Sequence, residues 1–257
     1  MLWRGAATVR AALLLLALTA PFPNEALAQT LGQVARSSLR SAGTAEPGST
    51  IGDGLFGSRE FRAESLSGLP QWTRVLSSVG KELRGFRRCT ADAKQCASPA
   101  QRNWREIITS AAGMSRSEKI RAVNEFFNRW PYKEDTEVYG LSEYWATPTE
   151  FMARSGDCED FAIAKYFALR ELGFKNDEMR IVILMDQIRN IGHAVLAIYN
   201  DNNETLVLDS LSNLIVPHDR YKHYLPQYSM NETTRWAHLG GYATQPKTYY
   251  RGLVAQN

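Results

Sequence analysis

The 257-residue sequence has little charge of either sign in excess: 30 Lys and Arg against 27 Asp and Glu leave +3 with histidine neutral. A balance that small and evenly spread gives no footprint for a nucleic-acid partner. Long apolar runs are missing beyond the first 28 residues, and nothing after them approaches the ~20 residues a membrane helix needs. No internal repeat is present. Apolar content of 44% with 22% charged residues excludes disorder and collagen-like repeats, and three cysteines are too few for a disulfide scaffold. A chain of this size buries a core without covalent staples and fits one domain with extensions.

What is present begins with an address. Arg4 and Arg10 form a positive n-region, Ala11–Ala20 an apolar h-region, and Pro21 and Pro23 break the run. Ala26-Leu27-Ala28 fits a small-x-small cleavage site, so residues 1–28 read as a secretory signal peptide. The run is too short for a transmembrane anchor. Removing Arg4, Arg10 and Glu25 takes 30 basic and 27 acidic residues to 28 and 26, a mature balance of +2. Export places the chain where exposed thiols pair. Cys89 and Cys96 enclose Thr90–Gln95 and are expected to close a surface loop as a disulfide. Cys158 is then left over: either a buried inert thiol or a reactive one.

Residues 29–68, rich in Ser, Gly, Ala and Thr, read as a flexible N-terminal segment with a short docked piece near Leu55–Phe61. Residues 69–257 form the expected folded domain. Helices are predicted over about 70–84 and 100–112. A third opens at the capping box Ser115-x-x-Glu118, carries Ile120, Val123, Phe127 and Trp130 at helical spacing, and stops at Pro131. Ser155-Gly156-Asp157-Cys158-Glu159-Asp160 leads into another helix that Gly173 ends. Met179–Asp186, His193–Tyr199 and Thr205–Asp209 then read as strands. Helices first and strands afterwards predict an α+β domain with helices packed on an antiparallel sheet.

Cys158 sits at a helix start, where free N–H groups and the positive end of the helix dipole favour thiolate. The surrounding acids pull the other way. Asp157 caps the helix and Glu159 and Asp160 complement its dipole, or the three carboxylates hold a hard cation such as Ca²⁺. A bound cation would relieve the conflict with the sulfur. A cysteine nucleophile needs a base, itself oriented by an acceptor. His193 opens a strand, whereas His218, His223 and His238 lie among polar and aromatic loop residues. With the Asn200–Asn203 turn centred on Asp201, His193 and Asp209 fall opposite each other, about 4.5–5.5 Å apart at Cβ.

The order Cys158…His193…Asp209 resembles the papain/transglutaminase-like fold. The stretches VNEFFNRWPY (123–132), YWATPTEFMARSGDCEDFAIAKYFALRELG (144–173), GHAVLAIY (192–199) and LVLDSL (206–211) resemble the bacterial transglutaminase-like cysteine proteinases, in particular the LapG-type periplasmic proteases. The resemblance covers roughly residues 50–240. It implies a cysteine peptidase with Cys158 as nucleophile, His193 as general base and Asp209 as its orienter, with Asp157, Glu159 and Asp160 binding calcium. It implies a periplasmic location, a large surface adhesin as substrate, a role in biofilm attachment, and a membrane-anchored cyclic-di-GMP receptor as regulator. Ser210 stands where the LapG pattern has asparagine. Trp145 either lines the cleft or packs in the core. Acyl transfer to an amine, or a non-catalytic binding module, are the competing readings of the same fold.

Overall fold

The computed structural model describes residues 54–199 and 204–242. The signal peptide 1–28, residues 29–53, the Asn200–Asn203 turn and residues 243–257 lie outside them. Among the described residues the first strand is β1 (Arg59–Ala63). Six α-helices follow: α1 (Pro70–Ala91), α2 (Pro99–Ala111), α3 (Arg116–Phe127), α4 (Asp135–Val138), α5 (Pro148–Arg154) and α6 (Cys158–Glu171). The remaining strands come last: β2 (Met179–Asp186), β3 (Ile191–Tyr199), β4 (Thr205–Leu208), β5 (Val216–Pro217), β6 (Tyr224–Met230) and β7 (Arg235–Leu239). They form one antiparallel sheet in the order β1-β7-β6-β2-β3-β4-β5. The α+β architecture is as the sequence predicts.

Local sequence explains most element ends. Ser115 Oγ accepts from the Glu118 N–H, and Glu118 Oε2 accepts from the Ser115 N–H at 2.8 Å, closing the expected box at the start of α3. The same device, Thr147 with Glu150 and Pro148 in the first turn, starts α5. The third predicted helix ends at Phe127 instead of running to Pro131, yet Trp130 still packs on Phe127 with ring centroids 6.0 Å apart. α1 runs past the predicted end near 84 because Phe86 and Cys89 continue its buried stripe. Cys89 is disulfide-bonded to Cys96.

The core lies between the helices and one face of the sheet. Phe86 stacks on Trp104 at 4.5 Å between α1 and α2, and α6 is buried along nearly its whole length. Truncating a wholly buried residue such as Trp104 to alanine costs about 3–5 kcal/mol. Alternation along the strands sends Ile181, Ile183, Leu196 and Ile198 into this core. Val182, Leu184, Val195, Ala197 and Val207 face the other way, into a smaller cluster with Leu55 and Phe56. The docked piece therefore covers the second face of the sheet, and β1 extends the sheet by pairing with β7. Glu60 Oε2 meets Arg180 Nη1 at 2.7 Å, and His238 bonds Ser58 and Ser229 through its two ring nitrogens, anchoring that piece.

Candidate active site

Cys158 is presented by a tight approach to α6. Ser155 takes a left-handed φ of 70°, and Gly156 bridges Tyr132 in parallel while its carbonyl accepts from the Lys133 N–H at 2.9 Å. A Cβ on Gly156 would collide with the Asp160 carboxylate, so only glycine fits. Asp160 is wholly buried and structural in its contacts. Its Oδ1 accepts from the Ala146 N–H at 2.6 Å and its Oδ2 from the Asp157 N–H at 3.3 Å.

A cleft of about 180 Å³ is lined by Cys158, His193, Trp145, Tyr132, Asp157 and Glu159 among others. Trp145 is thus both core and wall, only 3% exposed. The Cys158 Sγ donates to Glu159 Oε2 at 3.2 Å and accepts from the Ala194 N–H, which brings it beside the residue following His193. Its thiol is held well above the usual range, first by burial and then by the charges of Glu159 and Asp157. The helix start does not lower it as the sequence suggests, because burial, and then the acidic neighbours, raise it.

His193 and Asp209 meet. His193 Nε2 lies 2.9 Å from Asp209 Oδ1, both residues being nearly fully buried. The register differs from the expected one. Leu196 pairs with Leu208 and Tyr199 with Thr205, two residues off the expected pairing, and continuing it would set Leu211 opposite His193. The ladder stops at Leu208. Asp209 then turns out of the strand, its Oδ1 accepting from the Leu211 N–H at 3.0 Å. Contact survives because the imidazole reaches a carboxylate in the turn instead of one across the ladder. Burial works against the Asp209 carboxylate, but the hydrogen bond and charge of His193, the Leu211 N–H and the Tyr224 hydroxyl outweigh it and hold its pKa at about 2.

The acids form two overlapping groups. Asp157, Cys158 and Glu159 make one, and Asp135, Asp157 and Asp160 the other; within each, potential ligand atoms lie within 4.8 Å of one another. Asp135, 22 residues before Asp157, did not stand out in the sequence. The Tyr132–Gly156 bridge brings it there. Oδ1 of Asp135 and Oδ1 of Asp157 are both buried without a hydrogen-bond partner. Burial raises Asp135 to about 6, the Tyr144 N–H opposing it and the charges of Glu143 and Glu134 adding to it. Asp157 and Glu159 are both pushed up by burial; the Glu159 charge raises Asp157 further, while a hydrogen bond from Asp157 partly offsets the rise in Glu159. In the all-carboxylate group of Asp135, Asp157 and Asp160, orphaned buried oxygens make the donor set a hard cation takes.

Two more residues escaped the sequence reading. Tyr224 donates to Asp209 Oδ2 at 2.7 Å, leaving both carboxylate oxygens occupied. Lys165 interrupts the apolar run of residues 161–169 in α6, which is a sequence signal, and burial lowers its pKa to about 7 against the opposing Asp209 charge. The other histidines serve elsewhere: His218 Nδ1 accepts from the Phe56 N–H, His238 bonds serines, and His223 packs edge-on against Tyr224.

Helices laid on an antiparallel sheet, with a cysteine starting the buried helix and a histidine–aspartate pair at the same cleft, define the class of transglutaminase-like cysteine peptidases. The chain belongs to the bacterial transglutaminase-like cysteine proteinases, whose family model matches residues 82–244. Among solved structures it is similar to Legionella pneumophila LapG, at 31% identity and TM-score 0.52 over 60% of this chain and 87% of that one. A calcium-bound structure of Legionella pneumophila LapG matches at 32% identity and TM-score 0.52, covering 60% and 87%. Comparison with curated proteins gives no match. Among the described residues no helix is long and apolar enough to cross a membrane.

Proposed function

We propose that this chain is an exported, calcium-dependent cysteine endopeptidase in which Cys158 is the nucleophile, His193 its general base and Asp209 the residue that orients the imidazole. The observation carrying the reading is the 2.9 Å His193 Nε2–Asp209 Oδ1 contact at a cleft shared with Cys158. With Nε2 committed to Asp209, Nδ1 is left to take the thiol proton. The sulfur then attacks a backbone carbonyl carbon, and the main-chain N–H of Cys158 at the start of α6 stabilises the oxyanion. His193 returns the proton to the leaving amine as the C–N bond breaks. Water hydrolyses the thioester and restores the thiol.

Asp157, Glu159 and Asp160, joined by Asp135, are the residues that would hold the cation. A bound cation supplies neutralising charge to a cluster whose carboxylates otherwise disfavour the thiolate. Support comes from the orphaned oxygens of Asp135 and Asp157 and from the calcium-bound structure of the similar Legionella LapG. The N-terminal signal pattern supports residues 1–28 as a cleaved leader to the periplasm, with the docked piece from Leu55 and β1 belonging to the folded enzyme. The LapG-type resemblance supports a large surface adhesin as substrate, control of biofilm attachment and regulation by a membrane-anchored cyclic-di-GMP receptor.

The test is cleavage of an unfolded protein substrate in calcium, with new termini identified by mass spectrometry. Cys158→Ala and His193→Ala abolish cleavage while circular dichroism stays unchanged. Cleavage retained by Cys158→Ala, or incorporation of a labelled amine in place of hydrolysis, contradicts the reading.

A further inference from the structure

Lys165 lies in the middle of α6 with no surface exposed. Stripping an ammonium of its hydration is costly unless it is paired and hydrogen-bonded, and an apolar residue would serve the core of α6 better. Its Nζ donates to the main-chain carbonyl of Asp209 at 3.1 Å. Asn128, just past the end of α3, donates through Nδ2 to the same carbonyl at 3.0 Å and to the Ser212 carbonyl at 3.1 Å. Asn124, one turn earlier and wholly buried, donates to the Ser212 carbonyl at 3.2 Å. Two helices therefore converge on one short turn.

That turn lacks strand support. The β3–β4 ladder ends at Leu196–Leu208, one residue before Asp209. Tyr224 and the Leu211 N–H hold the Asp209 carboxylate itself, but the main chain it hangs from lies beyond the ladder. We propose that Lys165 and Asn128 are positioning residues for the peptidase reaction: they grip the Asp209 carbonyl from two helices and so fix its carboxylate against His193. The inference rests on Asp209 orienting His193, as proposed above. Neither residue lines the cleft, so substrate binding should not depend on them.

Lys165→Met keeps the length of the side chain and removes the donor, and Asn128→Ala removes the second donor from a half-buried position. Steady-state cleavage of a peptide cut from the protein substrate is measured in calcium, alongside the NMR signal of the His193 Nε2 proton. Lys165→Met is expected to lower kcat about 10- to 100-fold with KM changed less than about twofold, the pattern of a misplaced catalytic group. The Nε2 proton should exchange faster with solvent or vanish from the spectrum. Asn128→Ala should do the same more weakly, about 3- to 10-fold in kcat, and it decides the matter alone if Lys165→Met fails to fold. Unchanged kcat with an unchanged Nε2 proton, while Asp209→Ala is inactive, overturns the positioning role and spares the triad. Full activity in Asp209→Ala overturns both.

Discussion

Replacing Asp135 by asparagine separates the cost of the buried acids from their use. Asp135 is only 3% exposed, its Oδ1 lacks a partner, and its Oδ2 accepts from the Tyr144 N–H, a bond that an asparagine carbonyl keeps. Its pKa climbs from 3.8 to about 6 on folding. At about 1.4 kcal/mol for each tenfold change in ionisation, that climb corresponds to up to about 3 kcal/mol lost at pH 7 when no cation is bound. Because the folded value is the higher one, this stability is intact below about pH 4 and drains away as pH rises through about 6. In EGTA at pH 7, Asp135→Asn should therefore raise Tm, by up to about 6–12 °C for a chain of this size. In calcium the order reverses in part: a ligand has been removed, so the calcium-induced rise in Tm shrinks. Thermal melts followed by circular dichroism, with EGTA and with calcium at pH 4.5 and 7, measure all four corners. A variant that is less stable in EGTA, or that keeps the whole calcium response, refutes the assignment of Asp135 to the cation cluster.

Other expectations follow from the same contacts. Tyr224→Phe removes the hydroxyl donated to Asp209 Oδ2 at 2.7 Å, so the Asp209 pKa should rise from about 2. The loss costs about 1.5–3 kcal/mol in unfolding free energy by urea titration. In the wild type the stabilisation from Asp209 is complete above its unfolded value and is lost as pH falls towards about 2, so Tyr224→Phe should begin to unfold at a higher pH in an acid titration. Burial and the charges of Glu159 and Asp157 keep the Cys158 thiol protonated, so iodoacetamide labelling at pH 7 should be slow in EGTA and faster in calcium. The Cys89–Cys96 disulfide closes a sequence separation of only 7 residues. Its reduction should cost about 2 kcal/mol and leave cleavage intact, as measured by melts and activity under a mild reductant.

Elements whose signals are local could be read from the sequence. The Ser115–Glu118 box, the Cys158 helix start and the alternation of β2 and β3 each involve neighbours a few residues apart. Helix α5 carries the same kind of local signal at Thr147, Pro148 and Glu150. Strands β1, β6 and β7 were not legible: β6 contains Pro226, β7 pairs polar with aromatic residues, and β1 follows a Gly-rich stretch, so their strand character comes from pairing across the sheet. The His193–Asp209 contact is legible from residue type and order, but its register is not, because moving the turn centre by one residue shifts every pairing by two. Asp135 and Tyr224 reach the site through a bridge and through strand β6, both distant in sequence, and periodicity carries no trace of either.

The most direct measurement is the identity of the covalent intermediate. Acid-quenching the enzyme during turnover of a protein substrate in calcium, then peptide mapping, should place an acyl thioester on Cys158 that is missing from His193→Ala. An adduct on another residue, or cleavage with full rate and no adduct in Cys158→Ala, would contradict a cysteine peptidase built on Cys158.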